Sequence, residues 1–384
     1  MNLLIVEDNP GKAAEVRSLV SQVKPDTQIA ISGSMSDVVR VMDQIRFDLV
    51  ILDFMLPIHD GGPPHDCSRE LLGVANSSSR NSNTCLVALT AYDDLVNNAT
   101  DDFFESGVII CKYSAHDPSW RPTIRSLIER HSSRSARRFV IICALESERK
   151  AFEYTPARLG EAKTIGGLDA CDIEIGNELG VAVLSPRMGL VNACSVTALA
   201  VERFSPEIVC MAGICAGISG RSEIGQVLVA NPCFEYQVGK YTPTGFDIEP
   251  YQISLSEDLR QKLKRLNSDT DLIEALYQDL GPTPVSRSSP EFSVFVSGSA
   301  VVADQKVVKA ITSQHRKVSG LDMEAFGVMQ AAALSDLEVD FFSAKAVVDH
   351  ADSAKSDAHQ ADGCKVSARY CVAALSMLLD DAAA

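Results

Sequence analysis

The eleven cysteines form no CxxC pair and no ladder of even spacings, which excludes a zinc ribbon and a disulfide framework and predicts reduced, mostly buried thiols. Nowhere does an apolar run approach the roughly 20 residues of a membrane span, so no membrane partner is expected. Basic residues are scarce: 35 Lys and Arg stand against 51 Asp and Glu, a formal net charge of -16. Nucleic acid is therefore excluded as a partner, because phosphate contacts need clustered Lys and Arg. The GK[ST] of a phosphate loop and the spacing GxGxxG are both missing. No signal peptide precedes the apolar Leu3-Leu4-Ile5-Val6, and a cytoplasmic location is the expectation.

What is present divides in two. A chain of 384 residues is long enough to bury two separate cores. Over residues 1–130, apolar runs at Leu3–Val6, Ile29–Ile31, Leu49–Leu52, Leu86–Leu89 and Val108–Cys111 alternate with stretches of helical spacing such as Val16, Leu19, Val20 and Val23. Five such units predict a doubly wound, five-stranded parallel sheet. The polar segment from Asp60 to Thr84 is expected to hold one short helix around Arg69 to Val74 and otherwise to be mobile. The small polar and basic run 131–138 predicts an interdomain linker. Strand-like runs resume at Phe139–Ile142, Val181–Leu184, Ile208–Met211 and Val227–Val229, alternating with helical stretches at 192–201, 323–333 and 366–379. Residues 139–384 are thus expected to form a second, larger α/β domain with a mixed sheet.

In a doubly wound sheet, functional side chains collect at the carboxyl ends of the strands. Glu7 and Asp8 end the first run, Asp53 the third, Thr90 the fourth and Lys112 the fifth. Three carboxylates at one rim make a hard oxygen site suited to Mg²⁺. A hydroxyl and an ammonium opposite them suit a phosphoryl group on Asp53. This pattern resembles the flavodoxin-like receiver domain of bacterial response regulators. The resemblance implies Asp53 as phosphoacceptor, Mg²⁺ held by Glu7, Asp8 and Asp53, Thr90 and Lys112 as phosphate sensors, and a sensor histidine kinase or other phosphoryl donor protein as partner. Tyr113 stands where that family usually has Pro, and Ile109 where it often has an aromatic.

In the second half, Met211-Ala212-Gly213-Ile214-Cys215-Ala216-Gly217-Ile218-Ser219-Gly220 follows a strand, and its small residues predict a turn that brings backbone close to a ligand. Three further pieces accompany it: Ala144–Glu148, Asp322-Met323-Glu324 and Val348–Asp352. Read in order, the four resemble the nucleoside phosphorylase superfamily, most closely its methylthioadenosine/S-adenosylhomocysteine nucleosidase branch. That resemblance implies Asp349 as the acid protonating a purine at N7 and Glu148 as the group orienting or deprotonating water. It also implies Glu324 on the ribose hydroxyls and Met323 under the sugar, while Gly213, Ala216 and Gly217 are the small residues expected to let a ligand lie against backbone and Arg187 is a candidate contact for an anionic part of the substrate.

The residue types suit that chemistry in their own right, since N-glycosidic cleavage passes through an oxocarbenium-like state and needs an acid on the leaving base and a carboxylate near the sugar. Apolar neighbours at Val347 and Val348 are expected to favour the protonated form of Asp349. Met211 stands where phosphorolytic relatives place an Arg, which predicts water as the second reactant and no cofactor. Receivers fused to this nucleosidase type resemble effectors of Detocs-like antiphage systems, which implies ATP or another adenine nucleotide as substrate, with adenine and ribose triphosphate as the products from ATP, and relatives of both halves commonly self-associate, which implies a homo-oligomer. Two other readings stay open: a salvage-type nucleosidase or purine phosphorylase tuned by the receiver, and a non-catalytic nucleoside-binding regulator.

Overall fold

The computed structural model describes residues 1–78, 81, 84–91, 107–132, 137–243, 245–249, 251–282, 285–352 and 357–381. The chain divides into two compact units, Met1–Ser135 with Asp336–Glu338, and Ala136–Ser335 with Val339–Ala384.

In the first unit five strands lie in the order Gln28–Ser32, Asn2–Val6, Leu49–Leu52, Cys85–Thr90, Ile109–Lys112, and every neighbouring pair is parallel. Successive side chains alternate between the two faces, so each apolar run feeds two cores. Leu4, Val6, Val50 and Leu52 pack with Val38 and Met42 of helix Met35–Gln44 and with Leu71 and Leu72 of helix Ser68–Ser77. Leu3, Ile5, Leu49 and Ile51 pack with Val16 and Leu19 of helix Pro10–Val23 and with Trp120 and Ile124 of helix Trp120–Ser132.

The segment after the third strand holds more regular structure than the one short helix expected, and its residues 79, 80, 82 and 83 lie outside the described residues. Met55–Pro57 pairs antiparallel with Pro64–Asp66, and the expected short helix runs over Ser68–Ser77. Asn81 is buried; its side chain donates to the Met42 and Ile45 carbonyls and accepts from the Phe47 N–H at 2.8 Å. A polar residue that satisfies free backbone groups of a neighbouring turn reads in sequence as a loop residue.

Of the expected linker, His131 and Ser132 end a helix and 133–136 lie outside the described residues. Arg137 and Arg138 belong to the second unit, paired with Asp172 and with Glu178 and Glu207.

The second unit is built on an eleven-stranded sheet with parallel and antiparallel pairs. At its centre Ile208–Gly217 pairs in parallel with Phe139–Cys143 and with Asp340–Asp349. Helix Gln360–Asp381 packs on these central strands, and helices Leu190–Phe204 and Ala325–Ala333 pack on each other. The glycine segment is strand as far as Gly217 and a turn only at Ser219 and Gly220: pairing with Asp340–Asp349 continues to Ala216, with one register shift at Cys215/Ala216. Among the described residues, no helix is long and apolar enough to cross a membrane, and the cysteines are free thiols.

Candidate active site

A cavity of about 370 Å³ opens in the second unit where several strands end, lined among others by Leu145, Glu148, Ala216, Met323, Glu324 and Asp349. Glu148 stands in the short helix Glu146–Lys150 that follows the first strand of the unit. Its Oε2 accepts the N–H groups of Ala144 and Leu145 at 2.8 and 2.9 Å, and its Oε1 accepts that of Ile214 at 3.0 Å. This seat exists because residue 213 is glycine: with φ at +154°, a Cβ there would stand 2.2 Å from Glu148 Oε1. Burial pushes the Glu148 carboxyl above its usual value, with the Lys345 charge and the backbone donors pulling the other way.

The loop Asp322-Met323-Glu324 joins a buried strand to helix Ala325–Ala333. Asp322 faces the helix start and accepts the Ala325 N–H at 3.0 Å, while Ser297 Oγ donates to Asp322 at 2.6 Å and accepts the Phe326 N–H at 3.0 Å. Two side chains thereby satisfy N–H groups that a helix start leaves open, and Met323 and Glu324 are held toward the cavity. Glu324 accepts from the Gly189 N–H at 3.0 Å and from Lys345 Nζ at 3.1 Å.

Lys345 is the residue the sequence reading passed over. It is 1 % exposed and its ammonium lies 2.6 Å from Asp322 as well as against Glu324. Burial alone would lower its pKa, but the charges of Asp322, Glu324 and Glu148 outweigh that and keep it protonated above the ordinary lysine value. The signal was a single Lys within the otherwise apolar Ala344–Val348 run.

Asp349 ends the Asp340–Asp349 strand, is buried, and accepts the Ala351 N–H at 2.8 Å. The structure therefore brings Glu148, Ala216, Met323, Glu324 and Asp349 to one cavity. Gly213, Gly217 and Arg187 are not among its lining residues. Gly213 accommodates Glu148, and Gly217 accommodates Ser222 and Val347, whose side chains would meet a Cβ there. Arg187 is exposed, and it is its neighbour Met188 that lines the cavity. Met211 is fully buried in the central strand, with no access to the cavity.

In the first unit, Glu7 and Asp53 are buried at the strand ends and Asp8 is exposed. Thr90 is buried and Lys112 exposed at the ends of their own strands, which are neighbours. Between the carboxylates stands Lys12, its Nζ 2.6 Å from Glu7 Oε2 and 2.5 Å from Asp53 Oδ2. Burial pushes the Glu7 carboxyl above its usual value against the pull of that ammonium. Among the described residues no three His, Cys, Asp or Glu side chains are arranged to hold a metal ion. As arranged, the donor set at this rim does not fit the expected Mg²⁺.

A sequence model of the family described as Phosphorylase superfamily matches residues 138–380. The uncharacterized protein y4jS of Sinorhizobium fredii is 25% identical over an alignment covering 99% of this chain and 100% of that protein. ATP nucleosidase Cap17 of Escherichia coli is 25% identical over 48% of this chain, and the match spans 38% of Cap17, so the chain covers well under half of that relative. The crystal structure of 5′-methylthioadenosine/S-adenosylhomocysteine nucleosidase of Helicobacter pylori complexed with a substituted pyrrolidin-3-ol is similar at a TM-score of 0.52 and 18% identity, over 64% of this chain and 99% of that one. That likeness shows a shared fold.

Proposed function

The chain belongs to the phosphorylase superfamily, and from that membership we propose that it is a nucleosidase hydrolysing the N-glycosidic bond of an adenine nucleotide, ATP to adenine and ribose 5′-triphosphate. The observation that carries this reading is the convergence of Glu148, Met323, Glu324 and Asp349 on one cavity. In the proposed reaction the oxygen of a water forms a bond to C1′ as the C1′–N9 bond breaks and its electron pair passes to the base. Asp349 acts as the acid that gives a proton to N7 of the leaving adenine. Glu148 takes the proton of the attacking water, and three backbone N–H groups fix its orientation beforehand. Glu324 receives the ribose hydroxyls and Met323 packs beneath the sugar.

Hydrolysis is favoured over phosphorolysis because among the described residues no Lys or Arg lines the cavity, and the buried Met211 offers an anion nothing. An adenine nucleotide as substrate is supported by the similarity to ATP nucleosidase Cap17. The 5′ phosphates are proposed to leave the cavity past Met188, beside the exposed Arg187.

The first unit is proposed to act as a receiver that accepts a phosphoryl group on Asp53 from a sensor kinase or other donor and signals through a change in self-association, with Thr90 and Lys112 sensing the phosphate. Its five parallel strands and the position of Asp53 at their carboxyl ends support this. An activity that destroys ATP harms its own host, so a switch that holds it off until signalled fits an antiphage defence effector.

The test is chromatography of ATP, AMP, adenosine and methylthioadenosine incubated with the protein, with and without inorganic phosphate and a small phosphoryl donor. Adenine released from ATP without phosphate, and increased by the donor, is the expected result. Adenine from methylthioadenosine alone would make the protein a salvage nucleosidase, ribose 1-phosphate would make it a phosphorylase, and binding without base release would make it a silent regulator.

A further inference from the structure

Lys12 occupies a position that ordinary helix energetics disfavour. It lies in the first turn of helix Pro10–Val23, where the macrodipole repels a cation, and it is 6 % exposed, rare for lysine. Helical side chains lean toward the helix N-terminus, and here that direction leads to the strand ends carrying Glu7 and Asp53. What offsets the unfavourable placement is the pair of contacts at 2.6 and 2.5 Å, with the ring of Tyr113 5.1 Å from the ammonium on a further side.

The carboxylate oxygens are committed as well. Glu7 Oε1 accepts the Asn9 N–H at 2.9 Å and Asp53 Oδ1 that of Met55 at 3.3 Å, while the remaining oxygen of each faces Lys12. All four oxygens of the two buried acids thus have partners within the chain. A divalent ion bonding those same oxygens at about 2.0–2.6 Å would stand almost in contact with the ammonium.

We propose that Lys12 is the resident cation of the Asp53 rim, its ammonium taking the place between Glu7 and Asp53 that a divalent metal ion would otherwise hold. The ammonium thereby offsets one of the two buried negative charges from within and closes the rim to Mg²⁺ and Mn²⁺. The exclusion holds whether or not Asp53 accepts a phosphoryl group. Tyr113 links the rim to a spectroscopic signal, because its ring lies 5.5 Å from that of Trp120, the single tryptophan of the chain.

The test titrates Mn²⁺ into the full chain and follows free Mn²⁺ by electron paramagnetic resonance and Trp120 by fluorescence. Wild-type protein and Lys12→Arg are expected to leave Mn²⁺ free. Lys12→Ala and Lys12→Gln are expected to bind one ion per chain at least tenfold more tightly, with a change in Trp120 emission, and Asp53→Asn added to either is expected to abolish that binding. One Mn²⁺ bound to wild type and lost in Asp53→Asn would overturn the proposal without any Lys12 variant. Lys12→Ala and Lys12→Gln that fold, by circular dichroism, yet bind no more tightly than wild type would overturn it equally.

Discussion

At neutral pH the buried acids Glu148, Asp322 and Glu324 lie around one buried cation, the Lys345 ammonium. Burial drives the Glu148 carboxyl up and Lys345 restrains it, so on the proposed mechanism the two residues together are expected to set the lower pH limit of base release. As pH falls, Glu148 takes up its proton above the ordinary glutamate value of 4.5, and its proposed role as base is expected to end there. Lys345→Met removes the restraint, and the acid limb of the pH–rate profile for adenine release is expected to move to higher pH. A limb that stays in place, or moves down, would dissociate Lys345 from Glu148. Asp349→Asn keeps the shape of the side chain but carries no acidic proton, and base release is expected to fall by about 100- to 10,000-fold with nucleotide binding retained. Activity within a few-fold of wild type would remove Asp349 from the acid role. Glu148, Glu324 and Asp349 were legible through the ordered motifs that hold them, although only Glu148 follows a strand that the apolar runs had named. Lys345 and Lys12 were not, because a lone lysine carries no sequence mark of the carboxylates that surround it in space.

Elements were easier to foresee than their ends. The continuous apolar runs named all five strands of the first unit's parallel sheet and four of the second unit, as buried parallel strands should, but not Glu291–Ser297, Val318–Asp322 or the central Asp340–Asp349. The largest departure is the Ile208–Gly217 strand, read as strand and then turn. Its glycines are needed for side chains that press on the strand rather than for a bend in it, and composition does not separate those two uses. Gly213→Ala tests the difference, since its Cβ would meet Glu148 Oε1. The expected outcome is a native far-ultraviolet circular dichroism spectrum with base release reduced by about 100-fold, the cost of misplacing a catalytic group by about 1 Å. Unchanged turnover would show that Glu148 does not depend on that seat. The Ser297 and Asp322 pair at the start of helix Ala325–Ala333 makes a separate prediction. Ser297→Ala leaves the Phe326 N–H without its acceptor, and the denaturant midpoint is expected to drop by an amount equivalent to about 1–3 kcal/mol.

For the whole molecule, the division into two α/β units followed from length and from two successive alternations of strand and helix. How one unit informs the other has no pattern in a single chain, because coupling depends on two states with different contacts. If Asp53 is the switch, Asp53→Ala is expected to abolish stimulation of adenine release by a phosphoryl donor while leaving the unstimulated rate intact. Equal stimulation in the variant, read by the same chromatography, would separate Asp53 from control. The scattered thiols add a readout of their own. Cys67, Cys85 and Cys111 lie in the first unit and the other eight in the second, and of all eleven Cys85, Cys111 and Cys194 alone are half-buried, the rest being buried. An alkylating reagent can therefore mark few sites in the native chain. Each further adduct, located by peptide mass spectrometry, times the opening of the unit that holds it. The protein carries its own pair of unfolding clocks, one for each half, without an engineered label.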